Sequence, residues 1–167
     1  MTKPRLLQPE DAAAWRELRL HGLKHEPRAF GATLAEEQNL PLAWFAERLG
    51  STPVFATADA TGALTGTVGL RFLPFEQMRH KGFVWGMYVR PEARGAGLGL
   101  ALLQAAIAHA ATRVEELRLD VVDGNAAALA LYRAAGFTAY GTEPRALKHG
   151  GGYLDEVLMA LRLPGRC

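Results

Sequence analysis

The chain has 167 residues, 49% of them hydrophobic, and a formal net charge of +2 from 19 Lys and Arg against 17 Asp and Glu. This length predicts a single domain, residues 1–167, with a sizeable core, and the slight charge excludes the strongly basic surface that a nucleic-acid partner requires. No apolar run is long enough to span a bilayer and the N-terminus lacks the layout of a signal peptide, so we expect a cytoplasmic protein with no membrane partner.

The N-terminal half predicts a short strand, helical segments and then strands. The strand covers residues 4–7, and a helix begins at Pro9, because acidic residues fill its first turn and apolar residues follow at helical spacing. Thr33 and Glu36 have the spacing of a capping box, and Pro41 suits the first residue of a helix that runs through Leu49. Strands are expected at residues 54–58, 64–73 and 82–89.

A basic group runs from the end of the strand expected at residues 64–73 to the start of the strand expected at residues 82–89. We interpret it as a solvated rim and hairpin turn rather than an anion site; it consists of Arg71, Arg79, His80 and Lys81.

A glycine-rich turn follows, with Arg94 before it and glycines at positions 95, 97 and 99. The missing Cβ atoms would let free amides at a helix start close on a bulky anion, and the helix dipole favours negative charge there. A nucleoside-triphosphate loop is excluded because no Gly-Lys-Ser/Thr follows, and the spacing departs from the dinucleotide pattern. The turn therefore predicts a pyrophosphate ligand.

The C-terminal half predicts alternating elements and hence a mixed α/β sheet. We expect a helix from Gly97 to about Ala111, a strand at residues 117–121, a helix from Asn125, and an antiparallel pair at residues 137–143 and 153–163. The only cysteine is Cys167, which excludes an intrachain disulfide and argues against a thiol mechanism.

Two stretches together resemble the GNAT superfamily of N-acetyltransferases. The first is Arg94-x-x-Gly97-x-Gly99 after a strand that ends in Val-Arg-Pro, and the second runs from Asn125 through Leu131-Tyr132 to Gly136-Phe137. The C-terminal hairpin resembles that of small-molecule members acting on amino acids or polyamines. The resemblance implies the α/β GNAT fold: a mixed, mostly antiparallel central sheet splayed between its fourth and fifth strands, with about four flanking helices.

The resemblance also implies acetyl-CoA as co-substrate, without a metal, and a set of residues that bind it. These are Met87, Tyr88, Val89, Arg94, Gly95, Ala96, Gly97, Leu98, Gly99, Asn125 and Tyr132. Tyr132 is expected to be the general acid for the leaving thiolate, because a phenol titrates near a thiol; the alternative is a core tyrosine that only orients the cofactor sulfur. Asn125 either caps its helix, binds the pantetheine arm, or does both.

The amine must lose a proton, and Asp120 is the candidate base. Leu117, Leu119 and Val121 share one face of their strand, which leaves Asp120 on the other face, where partial burial would raise its pKa. The alternatives are an ion pair of Asp120 with Arg118 or Arg133, and proton loss through water.

The expected function is transfer of an acetyl group to the primary amine of a small molecule by direct attack in a ternary complex. A protein N-terminal or lysine acetyltransferase and a non-catalytic acetyl-CoA sensor are the alternatives, and a homodimer is left open. Tyr153 and several carboxylates are candidates to attract a cationic acceptor, but we interpret them as surface groups; the carboxylates are Glu143, Asp155, Glu26, Glu36 and Glu37.

Overall fold

A computed structural model describes residues 3–164, so Cys167 lies outside the described residues. The strands are β1 (Arg5–Leu6), β2 (Val54–Ala58), β3 (Leu64–Phe72), β4 (Lys81–Val89), β5 (Glu116–Val122), β6 (Thr138–His149) and β7 (Gly152–Arg162). The helices are α1 (Ala12–His25), the single turn α2 (Leu34–Glu37), α3 (Leu42–Ser51), α4 (Leu98–Ala110) and α5 (Ala126–Ala134). Short 3-10 turns cover Pro9–Asp11, Pro27–Ala29 and Pro91–Ala93.

The strands form one seven-stranded sheet in the order β1-β2-β3-β4-β5-β7-β6. Neighbours are antiparallel except β4 and β5, which run parallel and pair only from Lys81 to Phe83 on β4. Beyond Phe83 the two strands separate. The predicted GNAT fold, with its splay between the fourth and fifth strands, is confirmed.

A β-bulge in β4 accompanies this separation. Thr67 of β3 pairs with Tyr88 and Gly69 pairs with Trp85, so that two residues of β4 oppose one residue of β3. One of the two is Gly86, whose φ of +62° lies in the left-handed region that glycine adopts most readily. A bulge bends its strand and increases the local twist, which turns the end of β4 away from β5.

Both faces of the sheet are covered. On one face, Trp15 of α1 and Phe45 of α3 pack against β2, and each is at most 1% exposed. On the other face, Leu102 and Leu103 of α4 are fully buried against the middle strands. Because helices cover both faces, four consecutive residues of β2 and seven of β3 are buried.

The predicted boundaries differ from the observed ones in a few places. The capping box of Thr33 and Glu36 is present at the start of α2. Pro41, however, has a ψ of 153° and precedes α3 instead of opening it, and the helix continues past Leu49 to Ser51. Strand β6 extends to His149 because pairing with β7 resumes after an irregularity that begins at Glu143.

Candidate active site

Two cavities open where β4 and β5 separate. The larger one, about 730 Å³, lies between α3, β3, β4 and the C-terminal hairpin. The smaller one, about 430 Å³, lies between the end of β4, the glycine-rich turn, β5 and α5. Both are lined by Ala29, Asp120 and Glu156. A molecule in one cavity can therefore approach a molecule in the other at this shared wall.

The glycine-rich turn forms one end of the smaller cavity. Gly97, the residue before α4, has a φ of +76°, and a Cβ placed there would meet no atom within 4 Å. The position thus requires glycine for its backbone conformation rather than for space. The first amides of α4, at Leu98 and Gly99, line the cavity and lack acceptors within the helix.

Gly99 has a different role from Gly97. A Cβ on Gly99 would lie 3.1 Å from Cδ2 of Leu131 and 3.4 Å from Cε of Met87. Its missing side chain therefore lets α4 pack closely against α5 and β4. The sequence had suggested that all three glycines of the turn clear space for an anion, whereas the structure divides them between backbone conformation and helix packing.

Arg94 lies at the rim of the smaller cavity. Its Nε donates to the carbonyl oxygen of Val89 at 3.0 Å, and its Nη2 donates to Oε1 of Glu26 at 3.0 Å. Glu26 lines the same cavity, and both side chains are close to half exposed. The guanidinium is thus directed over the cavity, with an acidic side chain as its current partner.

The predicted cofactor-binding residues are brought together with one exception. The end of β4 and the turn line the smaller cavity, but Ala96 does not, although its neighbours Gly95 and Gly97 do. Within β4, Tyr88 is 4% exposed and its hydroxyl lies 2.9 Å from Nδ1 of His21.

Tyr132 of α5 is 8% exposed and lines the smaller cavity. Its ring meets Phe137 edge to face, with centroids 6.2 Å apart. Burial raises the pKa of Tyr132 to about 12. The phenol therefore keeps its proton more firmly than the ordinary tyrosine that the sequence argument assumed, and it is a hydrogen-bond donor throughout the neutral range.

Asn125 caps α5, because its Oδ1 accepts a hydrogen bond from the amide of Ala128 at 3.2 Å. It also lines the smaller cavity. Capping uses only the side-chain oxygen, so the amide nitrogen is free of that task.

Asp120 lies on the face of β5 opposite its buried neighbours, as predicted, and its side chain is partly exposed. Burial and then the negative charge of Glu143 raise the pKa of Asp120, while Arg71 acts in the opposite sense. The expected alternative partner Arg118 instead binds Glu116 at 2.5 Å. Asp120 thus forms no ion pair with Arg118 or Arg133 within residues 3–164.

Glu156 of β7 is the acidic residue that sequence reasoning missed. It pairs with Val122 across the β5–β7 ladder, while Asp120 pairs with Leu158, so the two carboxylates are diagonal neighbours on one face of the sheet. Burial, then Asp120 and Glu143, raise the pKa of Glu156. No local pattern marks Glu156, because its position depends on the register of strands far apart in sequence.

The larger cavity contains a buried ion pair. Nε and Nη2 of Arg19 bind the two carboxylate oxygens of Glu37 at 2.5 and 2.6 Å, and both side chains are at most 7% exposed. The interpretation of Glu37 as a surface charge is therefore wrong. Glu36 is the capping-box residue of α2, and Glu26 binds Arg94.

The smaller cavity fits a long ligand with an anionic end. Helix amides and Arg94 lie at one end, apolar side chains of Val121 and Leu131 form the walls, and Tyr132 offers a donor further in. Within residues 3–164 there is no group of three or more His, Cys, Asp or Glu side chains placed to hold a metal ion. None of the helices in this range is long and apolar enough to cross a membrane.

Comparisons with known proteins agree with this geometry. The model of the acetyltransferase (GNAT) family matches residues 15–137. The L-methionine sulfoximine/L-methionine sulfone acetyltransferase of Pseudomonas aeruginosa PAO1 is 36% identical over 125 residues, which is 72% of each chain. The L-amino acid N-acyltransferase MnaT of Escherichia coli K12 is 27% identical over 97% of this chain and 94% of its own length.

Among solved structures, yncA of Salmonella typhimurium, whose structure includes its cofactor acetyl-CoA, superposes with a TM-score of 0.81 at 26% identity. The match covers 98% of this chain and 95% of the other. With the splayed sheet, the glycine-rich turn and the family match in agreement, this chain belongs to the acetyltransferase (GNAT) family and uses acetyl-CoA as its acyl donor.

Proposed function

We propose that the chain transfers the acetyl group of acetyl-CoA to the primary amine of a small molecule, by direct attack within a ternary complex. The observation that supports this most strongly is that the two cavities meet at Asp120 and Glu156. Donor and acceptor can then occupy separate spaces and react at the shared wall, which removes the need for an acylated enzyme.

In the smaller cavity, which would hold acetyl-CoA, main-chain groups form most of the proposed contacts. The amides that begin α4, with Arg94 beside them, would bind the diphosphate, as unpaired amides and a helix dipole favour an anion. The amides of Met87 to Val89 would pair with the pantetheine arm and polarise the thioester carbonyl. Ala96 does not line the cavity and is left out of this set of cofactor-binding residues.

Bound acetyl-CoA supplies an activated carbonyl for the amine to attack. Tyr132 would donate a hydrogen bond to the sulfur as negative charge builds on it. Because the pKa of Tyr132 is about 12 and that of a thiol is about 8.5, hydrogen bonding is favoured over complete proton transfer. Tyr132 would therefore stabilise the leaving thiolate by a hydrogen bond.

Where the larger cavity meets the smaller one, a group must take a proton from the amine of the acceptor. Asp120 and Glu156 would share this role, because burial and the charge of Glu143 raise the pKa of Asp120, and burial, Asp120 and Glu143 raise that of Glu156. Proton loss through a water molecule held by these carboxylates would meet the same requirement. Asp120 remains our choice for the base and Glu156 its partner.

The relatives suggest the class of acceptor. The two named above are enzymes for amino acids or amino-acid analogues by their names, and we propose an amino acid here too. They favour neither a protein acetyltransferase nor a sensor without turnover. The cytoplasmic location, the homodimer and the single domain over residues 1–167 stay predictions.

A release assay for free CoA tests the proposal. The purified protein with acetyl-CoA is screened against the standard L-amino acids, L-methionine sulfone, polyamines, aminoglycosides and short peptides, with no acceptor as the blank. We expect release above the blank with one or more small primary amines, confirmed by the mass of the acetylated product. Release with peptides alone would favour the protein acetyltransferase, and binding of acetyl-CoA with no release would favour the sensor.

A further inference from the structure

Two guanidinium groups on the wall of the larger cavity have no acidic partner. Arg48 of α3 is half-buried, and its guanidinium lies 5.0 Å from the ring centroid of Trp44 and 4.4 Å from that of Trp85. Arg71 of β3 lies over Phe83 at 5.2 Å. Both line the larger cavity, and within residues 3–164 neither forms an ion pair.

The other charged residues of this cavity form no ion pair with Arg48 or Arg71 within residues 3–164. Arg19 and Glu37 satisfy each other through a bidentate pair. Glu47 lines the cavity too, but it is exposed and forms no ion pair with either arginine in the described part of the chain. The half-buried guanidinium of Arg48, held between two aromatic rings, is stabilised when a ligand brings an anion to it, and the exposed guanidinium of Arg71 is open to the same ligand.

Arg71 interacts electrostatically with Arg48 and with Asp120. Burial and then Arg19 lower the pKa of Arg48; Glu37 opposes this, and Arg71 adds to it. Arg71 is also the positive charge that lowers the pKa of Asp120. Arg71 therefore interacts both with Arg48 and with Asp120 on the acidic wall of β5 and β7.

We propose that Arg48 and Arg71 form an anion subsite that binds the carboxylate of the acceptor, and that the acceptor is accordingly an amino acid and not a polyamine or an aminoglycoside. This inference rests on the proposed acetyl transfer to a small amine. It adds which end of the acceptor is recognised, and by which residues.

The arrangement of the two cavities fixes the orientation of the acceptor. Asp120 and Glu156 line both cavities, whereas Arg48 and Arg71 line only the larger one. When the carboxylate of an amino acid binds the two arginines, its amino group points toward Asp120 and Glu156, next to the smaller cavity. A polyamine would place one of its ammonium groups against the guanidiniums, where like charges repel.

The test compares an amino acid with its own α-carboxamide, which keeps the amine and side chain but removes the negative charge. The amino acid with the highest kcat/KM in the screen is used for the pair. We expect the wild-type enzyme to prefer the acid, and Arg48→Gln and Arg71→Gln each to raise KM for it roughly 10- to 100-fold, the size expected for a lost hydrogen bond to a charged group. The KM for acetyl-CoA should stay unchanged, and the acid-to-amide preference should fall toward one.

Arg79→Gln is the matched control, because Arg79 belongs to the same basic stretch but lines neither cavity. Arg48→Lys and Arg71→Lys should give intermediate KM values, since lysine keeps the charge but loses the planar fork. Equal use of acid and amide by the wild type, or unchanged KM in both glutamine variants, would overturn the subsite while leaving the acetyl transfer intact.

A binding measurement separates this inference from the proposed reaction. Titration of the wild type with L-methionine sulfone and with its α-carboxamide is followed by fluorescence of Trp44 and Trp85, both of which line the larger cavity. Binding of the acid that is lost in Arg48→Gln supports the subsite even if no acetyl transfer is detected, in which case the proposed function fails alone. No preference for the acid in binding or in turnover would refute the subsite.

Discussion

Glu26 binds Arg94, the arginine that we expect to bind the cofactor diphosphate. Oε1 of Glu26 accepts a hydrogen bond from Nη2 of Arg94 at 3.0 Å, and both residues line the smaller cavity. A diphosphate at the start of α4 would bring negative charge toward Glu26. It would therefore compete with Glu26 for the guanidinium. Ala29, three residues after Glu26, lines both cavities, so this segment of the chain borders both of them.

We expect Glu26→Gln to bind acetyl-CoA more tightly, by roughly 2- to 5-fold, because an exposed ion pair of this kind is worth less than about 1 kcal/mol. Isothermal titration calorimetry measures the change, and high salt should reduce it through screening. Glu76→Gln, outside both cavities, is the control. Weaker binding by Glu26→Gln would mean that Glu26 orients Arg94 for the diphosphate and does not compete with it.

Gly97 and Gly62 both adopt left-handed φ angles, +76° and +90°, with open space where a Cβ would lie. Gly97→Ala and Gly62→Ala should each lower the free energy of unfolding by about 1–2 kcal/mol, the cost of a left-handed alanine. Only the Gly97 variant should also weaken acetyl-CoA binding, since Gly62 lies in the β2–β3 hairpin. Chemical denaturation and calorimetry measure the two effects.

Asparagine tolerates the left-handed region better than alanine, so Gly97→Asn should recover part of the lost stability. The hypothesis that the conformation of Gly97 serves the cofactor would be wrong if Gly97→Ala lost stability but bound acetyl-CoA as well as the wild type.

Signals carried by neighbouring residues made much of this fold predictable. The glycine-rich turn, the capping box of Thr33 and Glu36 and the alternation around Asp120 each depend on a few adjacent side chains, and the structure places all three as expected. The splay of the sheet came from the family resemblance, not from the residues alone. Its physical accompaniment, the bulge at Gly86, has no distinctive local pattern.

Features that depend on tertiary register could not be predicted. Arg19 and Glu37 pair between two helices, and burial of both charges is stable only when their geometry satisfies each other, which no spacing in the sequence reveals. Arg71 was assigned to a solvated basic group and is exposed, but the sequence did not reveal that β3 also places it on the wall of the larger cavity. Glu156 reaches Asp120 only through the pairing of β7 with β5.

Tyr132→Phe removes the proposed donor to the leaving sulfur and little else, because the ring is buried and keeps its edge contact with Phe137. We expect kcat to fall by roughly 100-fold, within the range for a lost acid or hydrogen-bond donor, with the Kd for acetyl-CoA unchanged. Stopped-flow or steady-state measurement of CoA release gives kcat. Tyr140→Phe is the control, since Tyr140 is 51% exposed and lines neither cavity.

The pH profile offers a second readout for Tyr132. With a pKa of about 12, its phenol stays protonated in the neutral and mildly alkaline range, so the wild-type kcat should not decline there through loss of this proton. A Tyr132→Phe rate equal to that of the wild type would show that Tyr132 is a packing residue.

Asp120 and Glu156 should govern the acidic limb of the pH–rate profile. Burial and Glu143 raise the pKa of Asp120, and burial, Asp120 and Glu143 raise that of Glu156, so the limb should lie above the pH at which an ordinary carboxyl titrates. Glu143→Gln removes the negative neighbour that raises the pKa of Asp120, so it should move the limb to lower pH, whereas Glu156→Gln tests the second carboxylate of the shared wall. Asp120→Asn should remove the limb and reduce kcat/KM.

The profiles are measured as kcat/KM for the acceptor, with acetyl-CoA saturating, from mildly acidic to mildly alkaline pH. Asp123→Asn is the control, because Asp123 follows the same strand but lines neither cavity. If the limb persists in Asp120→Asn and disappears in Glu156→Gln, the base is Glu156. If the limb persists unshifted in both variants, the proton leaves through water to another group. The raised pKa values of Asp120 and Glu156 then reflect their burial and neighbouring charges and not a catalytic role.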